Sequence, residues 1–142
     1  MYTLELSVIY SIVGLMNRPA KTFRDLVVWQ KAHQFVLAVY ALTEKFPRRE
    51  MFCLTPQFRK AAISIPANIA EGFKKRSAAE KARYLTISQG SLEECRYYLI
   101  LSQDLGYAMT ADLESSLEDV SRLLMAYTDK IWSKPKSARS NS

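Results

Sequence analysis

The residues of this chain best suited to chemistry are cations. Five lie within ten residues, opposed only by Glu80: Lys74, Lys75, Arg76, Lys81 and Arg83. Clustered ammonium and guanidinium groups attract phosphate, so they predict a nucleic-acid-binding edge, to which we add Arg59 and Lys60. Only Phe73 and Tyr84 flank the cluster, so base stacking is not indicated. A solvated, solubilising loop is the alternative interpretation.

Three carboxylates could do other chemistry. A metal or acid–base role for Glu71, Glu93 and Glu94 is conceivable, and an enzyme using Glu71 and Glu93 is the least favoured hypothesis. A structural role is favoured, because Asn68 and Glu71 are three residues apart on one helical face. There they can satisfy backbone groups disturbed by Pro66.

The remaining reactive side chains predict no catalytic, metal or cofactor site. His33 is the sole histidine, and Gln30 stands where a Glu-x-x-His metal motif needs its glutamate. We expect His33 to pack against Trp29, one turn earlier. Cys53 and Cys95 lack CxxC spacing, which favours reduced thiols in a cytoplasmic protein.

Apolar spacing places these residues on helices. The pattern recurs at three- and four-residue steps, and strand signals are weak. The predicted fold is all-α, an up-down-up-down antiparallel four-helix bundle. Its helices are predicted at about 24–46, 55–73, 77–105 and 110–132.

Capping residues set the predicted helix ends. Thr55, followed by Pro56, is a good N-cap for the second helix. Ser77 with Glu80 predicts a capping box at the third helix, and Gly106 closes that helix. Thr110 is expected to begin the fourth.

The octet Ile65–Gly72 interrupts an enclosed, mostly apolar helix. Pro66 removes a backbone donor and bends a helix, and Gly72 is expected to end it in the left-handed conformation. Gly90 and Ser91 lie in mid-helix, where glycine is unfavourable, so we expect another helix to approach closely there.

With this octet, two further stretches carry a family resemblance. Phe23–Ala32 reads FRDLVVWQKA and Gly90–Glu94 reads GSLEE. In this order the three resemble the 23S rRNA intervening-sequence proteins over residues 22–132. The resemblance implies a four-helix bundle and a homopentamer, in a family whose biochemical role is not established. A related branch, the accessory protein of diversity-generating retroelements, is a basic pentamer that binds nucleic acid and a reverse transcriptase.

One segment of the third helix predicts self-association. Residues 97–101 are five consecutive large apolar residues and surround the whole helix, whereas one bundle face needs only three or four per two turns. We therefore predict an oligomer interface at Tyr97, Tyr98, Ile100 and Leu101. The alternative is that the third helix is simply central in the bundle.

The chain ends are predicted to lie outside this domain. Residues 1–21 form an apolar extension, too short at its apolar run to span a bilayer. Translation starting at Met16 is the preferred explanation, and an apolar arm docking on a neighbour is the alternative. The bundle is predicted at 22–132, and residues 133–142 are predicted to be a disordered basic tail.

The positive net charge is compatible with an anionic partner but does not establish one. The 142 residues carry a net charge of +6 with a pI near 9.4. The predicted function is a non-enzymatic homo-oligomer that binds nucleic acid, RNA rather than DNA, with no membrane association. The alternative is a scaffold that presents helix faces to a partner protein such as a polymerase.

Overall fold

The computed structural model describes residues 19–133, and these residues form four helices and no strand. The helices are α1 (Val27–Thr43), α2 (Leu54–Phe73), α3 (Ala78–Asp104) and α4 (Ala111–Trp132). Short 3-10 turns at Phe23–Asp25 and Arg48–Glu50 precede α1 and α2. The predicted all-helical four-helix bundle is confirmed. The predicted start site and most of the extension and tail lie outside the described residues.

Side-chain contacts set the relative direction of the helices. Gly72 of α2 faces Tyr84 of α3, while Ser64 is bonded to Ser91, so α2 and α3 run antiparallel. At the other end, the α1–α2 and α3–α4 connections meet, with the Phe46 and Tyr107 ring centroids 5.4 Å apart. Two connections thus lie at one end and the third at the opposite end, as the predicted up-down-up-down order requires.

The first helix is shorter than predicted at both ends. Before it, the Thr22 hydroxyl and the Asp25 carboxylate cap the backbone reciprocally and hold a separate 3-10 turn. At its other end the chain turns after Thr43, and Pro47 is extended at ψ 149°. The predicted 24–46 segment is therefore divided into a 3-10 turn and a shorter helix. Apolar spacing could not indicate this, because the division depends on local capping bonds.

The start of α2 also differs from the prediction. Thr55 lies inside the helix rather than at its N-cap, a position occupied by Cys53 without a side-chain capping bond. The amide of Leu54 instead donates to Glu50 Oε2 over 3.3 Å. A carboxylate from the preceding 3-10 turn therefore replaces the predicted threonine cap.

The ends of α3 follow the predicted signals more closely than the start of α4. The Ser77 hydroxyl accepts from the Glu80 amide at 3.1 Å, which is one half of the predicted capping box. Gly106 closes α3 at φ +75°, with Gly106 N donating to Gln103 O and Tyr107 N to Ser102 O, each at 2.9 Å. Thr110 directly precedes α4, as expected, but its hydroxyl makes no capping bond and donates to Gln103 Oε1 at 2.8 Å.

The core runs along the shared axis of the four helices. Its largest fully buried apolar side chains come from all four: Phe35, Val39, Phe58, Ile65, Ile69, Leu85, Leu99, Leu117, Val120 and Leu124. Burying each large side chain stabilises the fold by roughly 1.5–3 kcal/mol. In residues 19–133 every buried side-chain nitrogen and oxygen has a hydrogen-bond partner, and no helix is long and apolar enough to cross a membrane.

Candidate nucleic-acid interface

The basic turn between α2 and α3 is held by its own backbone and by a serine cap. Lys75 N donates to Gly72 O at 3.1 Å as the chain leaves α2. Lys74 and Arg76 are exposed at this point, and Ser77 then caps α3. A tight turn between two packed helices thus presents consecutive cations to solvent.

Gly72 does not end α2 in the left-handed conformation. It lies inside the helix and is buried, and within residues 19–133 only Gly106 has a positive φ. A Cβ at position 72 would lie 3.0 Å from Tyr84 Cβ and 3.5 Å from Lys81 O. Gly72 therefore allows α3 to approach α2 closely beside the basic turn.

Two of the five clustered cations make contacts that also hold the fold. Lys81 Nζ donates to Phe73 O at 2.6 Å and lies 5.4 Å from the centroid of the Phe73 ring. It thereby satisfies a carbonyl at the end of α2. Lys75 Nζ lies 5.1 Å from the centroid of the Tyr84 ring, which it covers.

The other clustered cations are exposed: Lys74, Arg76 and Arg83. In the described part of the chain, no carboxylate forms an ion pair with any of the three, nor with Lys75. We call the five residues Lys74, Lys75, Arg76, Lys81 and Arg83 the turn surface. Its positive charge is directed mainly to solvent.

Arg59 and Lys60 lie away from the turn surface. Arg59 is fifteen residues before Lys74, which is about 22 Å along a helix at 1.5 Å per residue. Its Nε donates to Thr43 Oγ1 at 2.8 Å, and its guanidinium lies 4.5 Å from the centroid of the Tyr40 ring. Arg59 therefore joins α1 to α2, and only Lys60 of this pair is exposed.

The fold adds cations that the sequence did not group with the turn. In the up-down order, the start of α1 and the end of α4 lie at the same end of the bundle as the turn surface. Lys21, Arg24, Lys31 and Lys130 belong to these segments and are exposed. Because they are far apart in sequence, only the antiparallel topology could have indicated them.

Serine side chains join the octet Ile65–Gly72, here called the signature octet, to α3. Asn68 Nδ2 donates to Ser64 O at 2.8 Å, one turn earlier, and Ser91 Oγ donates to Ser64 Oγ at 2.7 Å. Buried Ser88 donates to Ile65 O at 2.9 Å. Ser64 and Ser88 were missed, although small polar residues at packed positions are a signal of close helix contact.

Two other members of the predicted structural motif are placed differently from expectation. Glu71 is exposed, and none of the described residues forms a hydrogen bond or ion pair with its side chain. Gly90 is exposed, and an added Cβ would meet no atom within 4 Å, so α2 does not approach it. The predicted close contact belongs to its neighbour Ser91, which is buried.

The three candidate carboxylates do not converge. Glu71 lies next to Gly72, which faces Tyr84 of α3. Glu93 lies nine residues beyond Tyr84, so it is about 13 Å farther along α3. Glu93 accepts from Arg96 Nε at 3.1 Å, and Glu94 accepts from the Tyr98 hydroxyl at 3.5 Å. Among residues 19–133, no three His, Cys, Asp or Glu side chains lie close enough to hold a metal ion.

The histidine and the cysteines have ordinary structural surroundings. The His33 ring stacks on Trp29 with centroids 5.2 Å apart, as predicted. Cys95 is buried, and this burial raises the pKa of its thiol to about 12. Cys53, by contrast, is exposed at the start of α2.

The apolar run of α3 is only partly covered by the bundle. Leu99 is fully buried, and Tyr98 and Leu101 are half-buried against the core. Tyr97 is 58% exposed and Ile100 is 49% exposed. Two of the four predicted interface residues therefore face solvent within a single chain.

Comparison with known proteins identifies the family. The sequence pattern of the 23S rRNA-intervening sequence protein family matches residues 24–127, which include all of α1, α2 and α3 and most of α4. The chain belongs to this family. Its match extends over the turn surface and the signature octet, which are therefore parts of the intervening-sequence protein domain.

A solved structure shares the fold of this intervening-sequence protein. It is the crystal structure of a protein of unknown function from the S23 ribosomal protein family of Bacteroides thetaiotaomicron. The two chains are 22% identical with a TM-score of 0.67, over 72% of this chain and 96% of the other. No curated protein matches the chain.

Proposed function

We propose that this intervening-sequence protein is a non-enzymatic homo-oligomer that binds nucleic acid through the turn surface. The observation that carries the proposal is the set of cations without carboxylate partners among residues 19–133: Lys74, Lys75, Arg76 and Arg83. Unpaired cations on one edge attract phosphate groups and release the counterions of the nucleic acid. RNA is favoured over DNA, because the family is described by intervening sequences of 23S rRNA.

The contacts of the turn surface favour binding to the phosphate backbone. Lys75 covers the Tyr84 ring, and Lys81 lies over the Phe73 ring. A base could stack on either ring only after displacing its lysine. The expected ligand is therefore a folded or duplex RNA that is bound with little dependence on sequence.

Self-association would multiply this attraction. Exposed Tyr97 and Ile100 support an interface on α3, because assembly would remove their apolar surface from water. The resemblance to pentameric relatives implies five copies. Several turn surfaces on one assembly would raise the effective concentration of cations near a long RNA.

The salt dependence of RNA binding tests the proposal against a matched control. The double variant Lys74→Glu/Arg76→Glu should weaken binding to a generic structured RNA. It should also reduce the log–log salt slope by about 0.7–0.9 for each phosphate group that the protein no longer neutralises. The control, Lys45→Glu/Arg48→Glu, makes the same charge change at exposed positions of the opposite end. We expect it to bind like the wild type.

Two results would contradict this proposal. Unchanged affinity of the Lys74→Glu/Arg76→Glu variant would remove the turn surface as the site. Equal weakening by both double variants would show that net charge alone, and not this edge, attracts RNA. Fluorescence anisotropy at several salt concentrations distinguishes these cases.

The second hypothesis, a protein-binding scaffold, is supported by an apolar surface at the other end of the bundle. Four side chains in the α1–α2 and α3–α4 connections are exposed there: Met51, Phe52, Leu105 and Met109. Phe52 is 92% and Met109 91% exposed, which favours burial against a partner protein. Such binding should respond little to salt and should be abolished in a Phe52→Asp variant.

A further inference from the structure

No contact within a single chain explains why position 90 is a glycine. It lies near the middle of α3, on the side opposite the buried residues Leu92, Cys95 and Leu99. Glycine disfavours a helix interior, and here an added Cβ would meet no atom within 4 Å. A glycine is useful at such a position when something outside the chain approaches the helix backbone.

The missing side chain leaves a depression on the outer surface of α3. Helical neighbours three and four residues away border it, among them Ile87, Glu93 and Glu94. Ile87 is 44% exposed, and Tyr97, two turns from Gly90, is 58% exposed. The depression is therefore partly apolar and can accept an apolar side chain from a neighbour.

The outer face of α1 has the complementary character. A surface helix normally carries charged residues toward solvent, yet the 17 residues of α1 contain one charged residue, Lys31. Leu37 is 57% exposed at the centre of this helix. Its helical neighbours on the surface include no carboxylate: His33, Gln34, Tyr40 and Ala41.

These two faces point away from each other. The main packing partners of α1 are α2 and α4, and those of α3 are the same two helices. The first and third helices therefore lie diagonally in the bundle, with their outer faces on opposite sides. One chain cannot bring its own Leu37 to its own Gly90.

We infer that α1 of one copy packs on α3 of a second copy, with Leu37 in the depression over Gly90. The inference rests on the self-association proposed above and specifies its surfaces. His33 and Gln34 can supply N–H donors beside Leu37. Beside Gly90, the exposed carboxylates of Glu93 and Glu94 can accept these donors in addition to their bonds with Arg96 and Tyr98. The contact thus combines an apolar centre with complementary polar groups around it.

A contact between two different faces repeats from copy to copy. Such heterologous contacts generate closed rings when the rotation closes, whereas a contact of one face with itself stops at a dimer. In a ring whose axis runs along the bundles, every turn surface lies on the same side. This arrangement would gather the RNA-binding cations of all copies.

Single variants test each face by sedimentation. Gly90→Leu fills the depression, and Leu37→Asp places a charge at the centre of the α1 face. Each should shift the protein from the assembly to a 16.3 kDa monomer. The controls Ala126→Leu and Ile63→Asp make similar changes at exposed positions of α4 and α2 and should leave the assembly intact.

Mixing the two disruptive variants tests the heterologous contact. The Gly90→Leu copy keeps an intact α1 face, and the Leu37→Asp copy keeps an intact α3 face. An equimolar mixture should therefore form a dimer that neither variant forms alone. A face-to-itself contact of α3 predicts a different result, because Leu37→Asp would then assemble normally and would overturn the inference.

Disulfide trapping keeps the inference testable when one contact is too weak to sediment as a dimer. In a Cys53→Ser background, copies carrying Leu37→Cys are mixed with copies carrying Ile87→Cys and oxidised. We expect a crosslinked heterodimer well in excess of either homodimer. Absence of that excess in an otherwise assembled protein would refute the α1–α3 contact while leaving self-association standing, and a wild-type monomer would refute both.

Discussion

Substituting alanine at Gly72 and at Gly90 should change stability in opposite directions. In a helix interior alanine is more favourable than glycine by about 0.8–1.0 kcal/mol. Gly90 lies in the interior of α3, whereas Gly72 lies in the last turn of α2, where the gain is smaller. Within a single chain nothing opposes this gain at Gly90, because the added Cβ meets no atom within 4 Å. Gly90→Ala should therefore stabilise the folded chain by up to about 1 kcal/mol.

At Gly72 the gain is opposed by overpacking. The new Cβ would lie 3.0 Å from Tyr84 Cβ, whereas carbon atoms in contact prefer about 3.5–4.0 Å. Both atoms are attached directly to backbone, so α2 and α3 must separate by roughly 0.5 Å. Overpacking of this kind typically costs about 1–3 kcal/mol, so we expect a net destabilisation of about 1 kcal/mol.

Urea unfolding measures this contrast. At a denaturant dependence of about 1–3 kcal/mol per molar, the two midpoints should differ by roughly 1 M. Measurements at several protein concentrations reveal any contribution of assembly as a concentration dependence. Equal stabilisation by both substitutions would refute the close approach of α2 and α3 at Gly72.

Three further predictions concern single side chains. Cys95 should resist thiol reagents at pH 8 until unfolding, since burial raises its pKa to about 12, whereas exposed Cys53 should react at once. Lys81→Met should lower the unfolding midpoint by removing the hydrogen bond to Phe73 O, at a cost of about 1–2 kcal/mol. The backbone amides of Thr22 and Lys21, just before the 3-10 turn, donate to the Asp25 carboxylate and lower its pKa below 3.8. The contribution of Asp25 to stability is therefore present above that value and is lost as pH falls through the lowered pKa. Asp25→Asn should remove this acid-dependent share of stability in urea titrations below pH 4.

The predicted helix ends are confirmed where a single local sequence signal determines them. Ser77 opens α3 and Gly106 closes it as expected, because a serine cap and a left-handed glycine depend only on neighbouring residues. Thr55 was wrong as a cap, whereas Thr110 directly precedes α4, as expected, but makes no side-chain capping bond. At both helix starts a side chain from the preceding turn or helix makes the bond instead: Glu50 accepts from the Leu54 amide, and Gln103 accepts from the Thr110 hydroxyl.

Gly72 and Gly90 show that helix packing, too, could be predicted only in part from the sequence. Sequence placed both in important motifs but predicted both roles wrongly. Gly72 contacts a neighbouring helix instead of ending α2 in the left-handed conformation, and Gly90 faces open space instead of a neighbouring helix. Which side of a helix meets a neighbour depends on how the helices are rotated in the bundle. The presence of a glycine in one helix does not indicate how that helix is rotated.

The helical fold, the family and the location of the basic cluster along the chain could all be read from the amino-acid sequence. Apolar spacing and short motifs carry this information, because they are local properties of the chain. Which cations remain exposed depends instead on how the helices pack. Lys81 and Arg59 are engaged by Phe73 and Thr43, which are 8 and 16 residues away in sequence, and contacts at that distance exist only once the helices have packed.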